Sequence, residues 1–443
     1  ISQLMTHDTD PRSRAVPTGR ASRAARMGGL AGGLLGSAAA AGAKQLLQGR
    51  KPNPRDMFLT PSNAQRLTQQ LSQMRGAAMK MGQLLSLEAG DLLTPELAAV
   101  LRPLQSQAHF MPPAQLKQVL SKAWGKDFTK RFKKFDVRPI AAASIGQVHR
   151  AQSHDGRDLA IKVQYPGIRD SIDSDLSNLA SMMRMSGMMP KGLDLKPLLE
   201  DARQQLHEEA DYIQEAQSLR QFGNLLEGDP NFVVPAVYDD LSSRDILAME
   251  FIPSEPIDTL ENADQATRDT MSDRLIHLMM REVFEFHLVQ SDPNFANFRW
   301  QPETGKLVLL DFGATRSLPP ELVARSRAIL QPSLQNDLPA IAEALTELGL
   351  LSVALPDKTR TEILSMVEMA NAPMLDPAGF NFGDTSLVSD LRDRGMALGR
   401  DRSIQHIPPT EVLYLQRKAA GLFLLATRLR AQINLRSLFQ HYA

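Results

Sequence analysis

Three side chains in the second half of the sequence are suited to holding a divalent cation and moving a proton. Asp292 precedes Asn297 by five positions, and Asp311 follows Asn297 by fourteen, directly after an apolar run. Carboxylate and amide oxygens are ligands that Mg²⁺ prefers, and a carboxylate beside a hydroxyl can accept its proton. We therefore interpret Asn297 and Asp311 as metal ligands and Asp292 as a candidate catalytic base. Each of these runs, taken singly, is also typical of an ordinary turn.

Lys162 lies between branched apolar residues in a segment that reads as a strand. A buried ammonium group is costly unless its charge is paired, so Lys162 either reaches solvent from an edge strand or forms an ion pair. The acidic helical stretch 208–215 offers partners, of which we favour Glu215, while Glu208 and Glu209 remain alternatives. In kinase folds such a strand lysine, held by a helix glutamate, contacts the nucleotide phosphates. We thus predict catalytic roles for Lys162 and Glu215.

A loop of small residues precedes Lys162 and completes an ordered set of motifs. The loop residues that we predict to contact a nucleotide are Ala141, Ala142, Ala143, Ser144, Ile145, Gly146 and Gln147. Loop, strand lysine, helix glutamate, Asp-x₄-Asn and Asp-Phe-Gly follow one another in the order found in protein kinases. This order predicts a site for ATP and Mg²⁺, although no single motif would. Glu250, Phe251 and Ile252 either offer backbone groups to the adenine edge or are a plain strand end.

The segments that must position these motifs predict an α+β protein. Helices are predicted at 63–87, 94–102, 113–124, 172–226, 266–288 and over most of 320–439, and strands at 148–152, 158–164, 232–237, 245–251 and 306–310. Apolar spacings of three and four residues indicate the helices, and runs of branched apolar residues indicate the strands. His154-Asp155-Gly156, between the first two strands, has the chemistry of a hairpin turn.

Composition narrows the class of protein. The 443 residues include 50 basic and 50 acidic side chains, and this balance argues against a nucleic-acid partner. The absence of cysteine excludes disulfides, a thiolate zinc site and a cysteine nucleophile. The uncharged run 27–43 is too short and too weakly apolar for a spanning helix. We expect it to belong to a flexible or membrane-proximal lead-in.

The motifs depart from those of ordinary protein kinases in three places. Alanines stand where glycines are usual in the loop at 141–147, and alanine restricts φ where glycine is free. Gln290-Ser291 replaces the His-Arg that precedes the catalytic aspartate, and no Ala-Pro-Glu follows Gly313. A protein substrate would normally dock on the segment that is missing after Gly313.

With these departures, the chain resembles the UbiB (aarF-domain) atypical kinase family. Lys80-Met81-Gly82-Gln83 matches its Lys-x-Gly-Gln motif and Glu209-Ala210-Asp211 its Glu-x-Asp motif. The resemblance covers the chain from about residue 50 onward, and the segments around Asp292 and Asp311 look like the branch that supports ubiquinone biosynthesis in mitochondria and proteobacteria. It implies a two-lobed, protein-kinase-like fold with an N-terminal helical extension and a mostly helical C-terminal lobe.

The resemblance also implies roles that the residues alone do not indicate. Lys80 and Gln83 would face the nucleotide from a helix that packs over the site, although a lysine on that helix otherwise reads as a surface residue. Glu209 and Asp211 would anchor this extension at the nucleotide site. The implied activity is ATP hydrolysis or phosphorylation of a small or lipid-like molecule, with ATP and Mg²⁺ as cofactors and stimulation at membranes. A protein kinase and a nucleotide-binding pseudokinase scaffold are the alternatives.

The same resemblance suggests an organisation and a setting for the chain. We expect a lead-in at 1–50, the helical extension with the Lys-x-Gly-Gln motif at 51–130, an N-lobe with inserted helices at 131–252 and a helical C-lobe at 253–443. The implied partners are a lipid or quinone-precursor small molecule, a membrane contacted peripherally and other quinone-biosynthesis proteins. The implied location is the bacterial cytoplasm or membrane, or the inner mitochondrial membrane in a eukaryote.

Overall fold

The computed structural model of the protein describes residues 36, 75–88, 110–186, 195–292, 294–399 and 409–443. By its backbone contacts the chain divides into two compact units. The first contains the described residues up to Gln217 together with Ala236–Phe251, and the second contains Ser218–Pro235 and Ile252–Ala443. Except for Gly36, the predicted lead-in lies outside the described residues, as do the predicted helix at 94–102 and the first part of the helix at 63–87.

The first unit is built on a five-stranded antiparallel sheet. Its strands are β1 (Phe132–Phe135), β2 (Ala141–Ala142), β3 (Gly146–Ser153), β4 (Asp158–Gln164) and β6 (Ile246–Glu250), in the order β1-β3-β4-β6 with β2 paired to β3. The turn between β3 and β4 contains Gly156 at φ +94°, a value that favours glycine. The predicted hairpin is therefore confirmed. Residues 159–164 of β4 are all buried, which explains why this strand reads as a continuous apolar run.

Five of the described helices lie wholly or partly in the first unit. They are α1 (Arg75–Glu88), α2 (Pro113–Trp124), α3 (Ile172–Ser186), α4 (Leu195–Glu209) and α5 (Tyr212–Leu225). Helices α1, α3 and α4 pack against one another. A Cβ on Gly76 of α1 would lie 3.0 Å from Ile145 Cγ2 and 3.1 Å from the Ser144 carbonyl oxygen, so the missing side chain brings α1 close to the loop at 144–145.

The second unit is mostly helical, as predicted. Its helices are α6 (Gln265–Phe284), α7 (Pro320–Arg327), α8 (Leu330–Gln335), α9 (Leu338–Leu348), α10 (Asp357–Leu375), α11 (Ser386–Gly399), α12 (Thr410–Leu429) and α13 (Leu435–Tyr442). Helix α6 begins after Asp264, whose carboxylate accepts a hydrogen bond from the Thr267 N–H at 2.8 Å. Helices α6 and α12 pack against each other. Among the described helices, none is both long enough and apolar enough to cross a bilayer.

The described residues of the second unit also form eight short strands. They are β5 (Phe232–Val233), β7 (Glu255–Pro256), β8 (Leu288–Gln290), β9 (Phe298–Trp300), β10 (Leu307–Leu309), β11 (Thr315–Ser317), β12 (Phe380–Asn381) and β13 (Gln432–Ile433). They form a sheet in the order β5-β10-β9-β7 and the pairs β8–β11 and β12–β13. Most were missed in the sequence because two or three residues cannot show an alternating pattern. Ser218–Pro235, with β5, groups with the second unit, and the domain boundaries at 130 and 252 stay a prediction.

Gly146 at the start of β3 should tolerate no side chain. A Cβ there would lie 2.5 Å from the Val163 carbonyl oxygen and 2.9 Å from Tyr212 Oη, closer than real Cβ contacts. We expect Gly146→Ala to lower the free energy of unfolding by about 3 kcal/mol, because a backbone carbonyl must move. Urea unfolding followed by circular dichroism measures the effect.

Gly223 of α5 supplies the matched control. The nearest atom to a Cβ at Gly223 is Val234 Cγ1 at 3.9 Å, an ordinary contact. Alanine is the better helix former, so Gly223→Ala should be neutral or stabilising by up to about 1 kcal/mol. Equal effects of the two substitutions would contradict this account of Gly146.

Candidate functional site

Lys162 and Glu215 form a buried ion pair in the first unit. Lys162 Nζ lies 2.7 Å from Glu215 Oε1 and 2.9 Å from Oε2, and the two side chains are 9% and 0% exposed. The ring of Tyr212 lies with its centroid 5.1 Å from the same Nζ. Of the three glutamates considered from the sequence, the structure therefore pairs Glu215 with the strand lysine. A charge-assisted contact to both carboxylate oxygens holds the ammonium group in one place.

Asp211 positions the helix that carries Glu215. Its Oδ1 accepts hydrogen bonds from the N–H groups of Ile213 (3.2 Å) and Gln214 (3.1 Å), and its carbonyl oxygen accepts from the Glu215 N–H at 2.9 Å. A side chain that satisfies the first N–H groups of a helix stabilises its start. Asp211 thus places Glu215 on the first turn of α5, whereas a direct contact with a nucleotide stays a prediction.

Glu209 joins the Lys-x-Gly-Gln helix to the alanine-rich loop. Its Oε1 accepts a hydrogen bond from Lys80 Nζ at 2.7 Å, and its Oε2 accepts one from Ser144 Oγ. Lys80 is only 1% exposed, so the surface interpretation of this lysine is wrong. The side chain of Gln83 lies outside the described residues, and its role stays a prediction. One carboxylate thus links α1, the loop and the end of α4.

The alanine-rich loop forms a tight hairpin. Ala141 and Ala142 are the exposed strand β2, and the Ala143 N–H donates to the Gly146 carbonyl oxygen at 2.9 Å. Ile145 is buried beneath this turn. The alanine methyl groups therefore occupy positions that an ordinary kinase loop leaves to glycine.

Gln147 is turned into the interior of the first unit. Its Oε1 accepts from the Met111 N–H at 2.7 Å, and its Nε2 lies 2.8 Å from His149 Nε2. Burial lowers the pKa of His149 to about 4, while its contact with the Asp136 carbonyl opposes the shift. The neutral ring accepts from Gln147 through Nε2. The side chain of Gln147 is thereby tied to Met111 and His149, and its contact with a nucleotide stays a prediction.

The strand end that we predicted to meet adenine is partly used within the first unit. The Glu250 N–H donates to the Ala236 carbonyl oxygen at 2.8 Å, and the Phe251 N–H donates to the Asp158 carbonyl oxygen at 3.0 Å. The backbone groups that remain predicted to bind the adenine edge are the carbonyl groups of this segment and the N–H of Ile252.

The carboxylate and amide groups of the second unit lie on two adjacent loops. Asn297 Nδ2 lies 3.2 Å from Asp292 Oδ2. The backbone carbonyl oxygen of Asn297 accepts a hydrogen bond of 3.2 Å from the N–H of Leu310, the residue before Asp311. Asp311 Oδ1 accepts from the Gly313 N–H at 3.0 Å, which holds its carboxylate in a local turn. Since Asn297 donates through nitrogen to Asp292, its amide oxygen is directed away from that carboxylate.

This donor set fits Mg²⁺. The oxygens are hard, and Mg²⁺ is bound through one or two carboxylates with phosphate and water completing its shell. Among the described residues, no group of three or more His, Cys, Asp or Glu side chains forms an all-protein metal cage. A site of this type takes its remaining ligands from a phosphate substrate.

Ser291 connects the two loops, and the sequence showed it only as a departure from the usual motif. Its N–H (2.9 Å) and its Oγ (2.8 Å) both donate to the carbonyl oxygen of Ala314. Phe312 is buried, and its ring centroid lies 4.4 Å from that of Phe222 on the last turns of α5. The Ser291 contacts thus link the loop of Asp292 to the segment that follows Asp311. Lys418 of α12 and Glu282 of α6, a buried pair beside Gln290, were also missed because nothing near them in sequence resembles a motif.

The fold and the ordered motifs define an atypical kinase-like protein. Residues 103–345 match the ABC1 atypical kinase-like domain, and the chain belongs to that family. The chain is 36% identical to "Atypical kinase COQ8, mitochondrial" of Saccharomyces cerevisiae over 97% of its own length and 86% of the yeast protein. It is 37% identical to "Atypical kinase COQ8B, mitochondrial" of Rattus norvegicus over 97% of its own length and 81% of the rat protein. The predicted family is thereby confirmed.

A solved structure supports the fold. A Mycobacterium tuberculosis protein, determined in complex with erythromycin, aligns with a TM-score of 0.58 at 24% identity, covering 83% of this chain and 92% of that protein. At this identity the likeness concerns the fold alone.

Proposed function

We propose that the protein is a Mg²⁺- and ATP-dependent atypical kinase or ATPase that supports ubiquinone biosynthesis. The observation that carries the proposal is the buried contact of Lys162 with both carboxylate oxygens of Glu215. In kinase folds this pair is the device that holds a lysine for the phosphates. The relatives in yeast and rat, both called atypical kinases and mitochondrial, support the class of activity and the setting.

Each predicted site residue has a defined task in this proposal. Lys162 would bind phosphate oxygens. Asp311 and the amide oxygen of Asn297 would hold a Mg²⁺ ion, which would supply positive charge for the phosphates when bound. Asp292 accepts the proton of the attacking hydroxyl or water. The hydrogen bond from Asn297 Nδ2 orients the Asp292 carboxylate for this step.

The acceptor that fits best is water or a small or lipid-like molecule. After Gly313 only residues 314–318 precede Pro319-Pro320 and α7. Three of those residues form β11, which pairs with β8. The described residues 314–318 are too few to form an extended activation segment on which a peptide would dock. A quinone precursor carries a hydroxyl group of the required chemistry, and we place the protein at a membrane surface with other quinone-biosynthesis proteins.

Phosphate release from Mg–ATP tests the proposal. The purified protein is assayed with and without anionic liposomes and with a quinone-precursor phenol, and we expect release that both additions stimulate. Thermal stabilisation by Mg–ATP without release would favour the pseudokinase scaffold. Transfer of labelled γ-phosphate to other proteins would favour a protein kinase. If the protein neither binds nor hydrolyses Mg–ATP under any of these conditions, the proposal is contradicted.

A further inference from the structure

Two oppositely charged side chains are buried together in the second unit. Lys418 on α12 and Glu282 on α6 are each 1% exposed, and Lys418 Nζ lies 2.9 Å from Glu282 Oε2. The residues are 136 positions apart in sequence. Burial raises the pKa of Glu282, and the Lys418 ammonium opposes that shift. Two charges taken out of water in this way must have partners arranged around them.

The ammonium group of Lys418 touches both ends of the loop that carries Asp292 and Asn297. It donates to the carbonyl oxygen of Gln290 at 2.8 Å and lies 3.5 Å from Gln290 Oε1, at the end of β8. The ring of Phe298, the first residue of β9, has its centroid 5.7 Å from the same Nζ. One side chain therefore contacts the residue before and the residue after the segment that carries Asp292 and Asn297, of which the structure describes 291–292 and 294–297 and which is called the loop 291–297 below.

Stability alone does not explain this arrangement. Replacing a buried ion pair by apolar side chains of similar size is often neutral or stabilising. The arrangement also leaves the buried amide nitrogen of Gln290 without a hydrogen-bond acceptor among the described residues. Buried polar groups are normally satisfied, so an unsatisfied one calls for an explanation. The reason here is the loop that the lysine holds.

We propose that Lys418, oriented by Glu282, is a positioning residue that fixes the loop 291–297 and so orients Asp292 and Asn297. The inference rests on the proposed role of this loop in holding Mg²⁺ and accepting a proton. Groups that orient metal ligands from behind typically contribute 10–100-fold in metal affinity or activity. Removing the ammonium group should therefore loosen the loop and lower the affinity for Mg²⁺ by about that factor. The KM for ATP at saturating Mg²⁺ should change little.

The double variant Lys418→Met/Glu282→Met carries the test, because it leaves no buried charge unpaired. It is compared with Lys418→Met and with Arg394→Met, which removes a partly exposed cation that contacts Ser365 and Glu362 on α10 instead of the loop. Three quantities are measured: the thermal midpoint, amide hydrogen exchange of 291–297 without nucleotide, and the Mg²⁺ concentration for half-maximal hydrolysis. We expect a midpoint close to that of the unaltered protein for the double variant, faster exchange in 291–297, and a 10–100-fold higher Mg²⁺ requirement. Arg394→Met should change none of them.

The outcomes separate this inference from the proposed function. A double variant with unchanged exchange and an unchanged Mg²⁺ requirement overturns the positioning role, and so does a double variant that cannot fold, since the pair is then structural. If the unaltered protein does not use Mg–ATP, the proposed function fails. In that case the exchange measurement alone still decides whether Lys418 holds the loop.

Discussion

Replacing Asp311 by Asn is expected to weaken Mg²⁺-dependent ATP binding by on the order of 100-fold and to remove ATP hydrolysis, because a charged ligand of the metal becomes neutral. The fold should survive, since the amide oxygen can still accept from the Gly313 N–H that Asp311 Oδ1 now bonds at 3.0 Å. Calorimetric titration with ATP, at several Mg²⁺ concentrations, measures the loss. Binding without Mg²⁺ should change little.

Asp376→Asn is the matched control. Asp376 Oδ1 accepts from the Ala378 N–H at 2.8 Å, the same local turn two residues on, in a loop after α10 that we assign no metal. The Asp376→Asn variant should bind ATP with the affinity of the unaltered protein and hydrolyse it at the same rate. If Asp311→Asn retained full Mg²⁺-dependent affinity, the assignment of Asp311 as a metal ligand would be wrong.

Glu215→Met is expected to lower the free energy of unfolding by about 3–5 kcal/mol, because it leaves the Lys162 ammonium buried without its carboxylate. The double variant Lys162→Met/Glu215→Met should recover most of that free energy, since no buried charge remains to be compensated. Neither variant should bind Mg–ATP with normal affinity, because both lose the held lysine. Urea unfolding and calorimetry on the same preparations separate the two effects.

An exposed ion pair of the same unit provides the comparison. Arg157 contacts both carboxylate oxygens of Asp240 at 3.0 Å, but the Asp240 side chain is 58% exposed. Pairs at the surface contribute little, so Asp240→Ala should cost at most about 1 kcal/mol and leave nucleotide binding intact. A Glu215→Met variant as stable as Asp240→Ala would contradict the account of the buried pair.

The candidate site was predictable where its chemistry lies in short, local motifs. Asp292 and Asn297 are five positions apart on one loop, so their spacing brings these two groups together, and Asp311 was recognisable because it follows directly after a buried apolar strand. The strand that carries Lys162 could also be predicted from the sequence. Six of its seven residues are buried, so most of them are apolar. A residue whose neighbours in space are also its neighbours in sequence leaves a pattern that can be read.

Contacts between distant segments left no such pattern. The sequence contains three glutamates that could pair with Lys162. Glu215 is the partner because Asp211 fixes the start of α5, and Glu215 lies on the first turn of that helix. A lysine on an amphipathic helix reads as a surface residue, yet Lys80 is buried against Glu209, 129 positions away.

From the sequence alone, the Lys-x-Gly-Gln and Glu-x-Asp motifs predicted the family, the helix and strand patterns predicted the α+β class, and the order of the motifs predicted the residues that we propose to handle a phosphate and a metal ion. Only the tertiary structure decided which of those side chains are committed elsewhere, as Gln147 is to Met111 and His149, and which unsuspected ones support the site, as Lys418 does. The physical reason is burial. Whether a charge or an amide is exposed depends on what packs over it, and the helix that supplies Lys418 follows the loop it holds by more than a hundred residues.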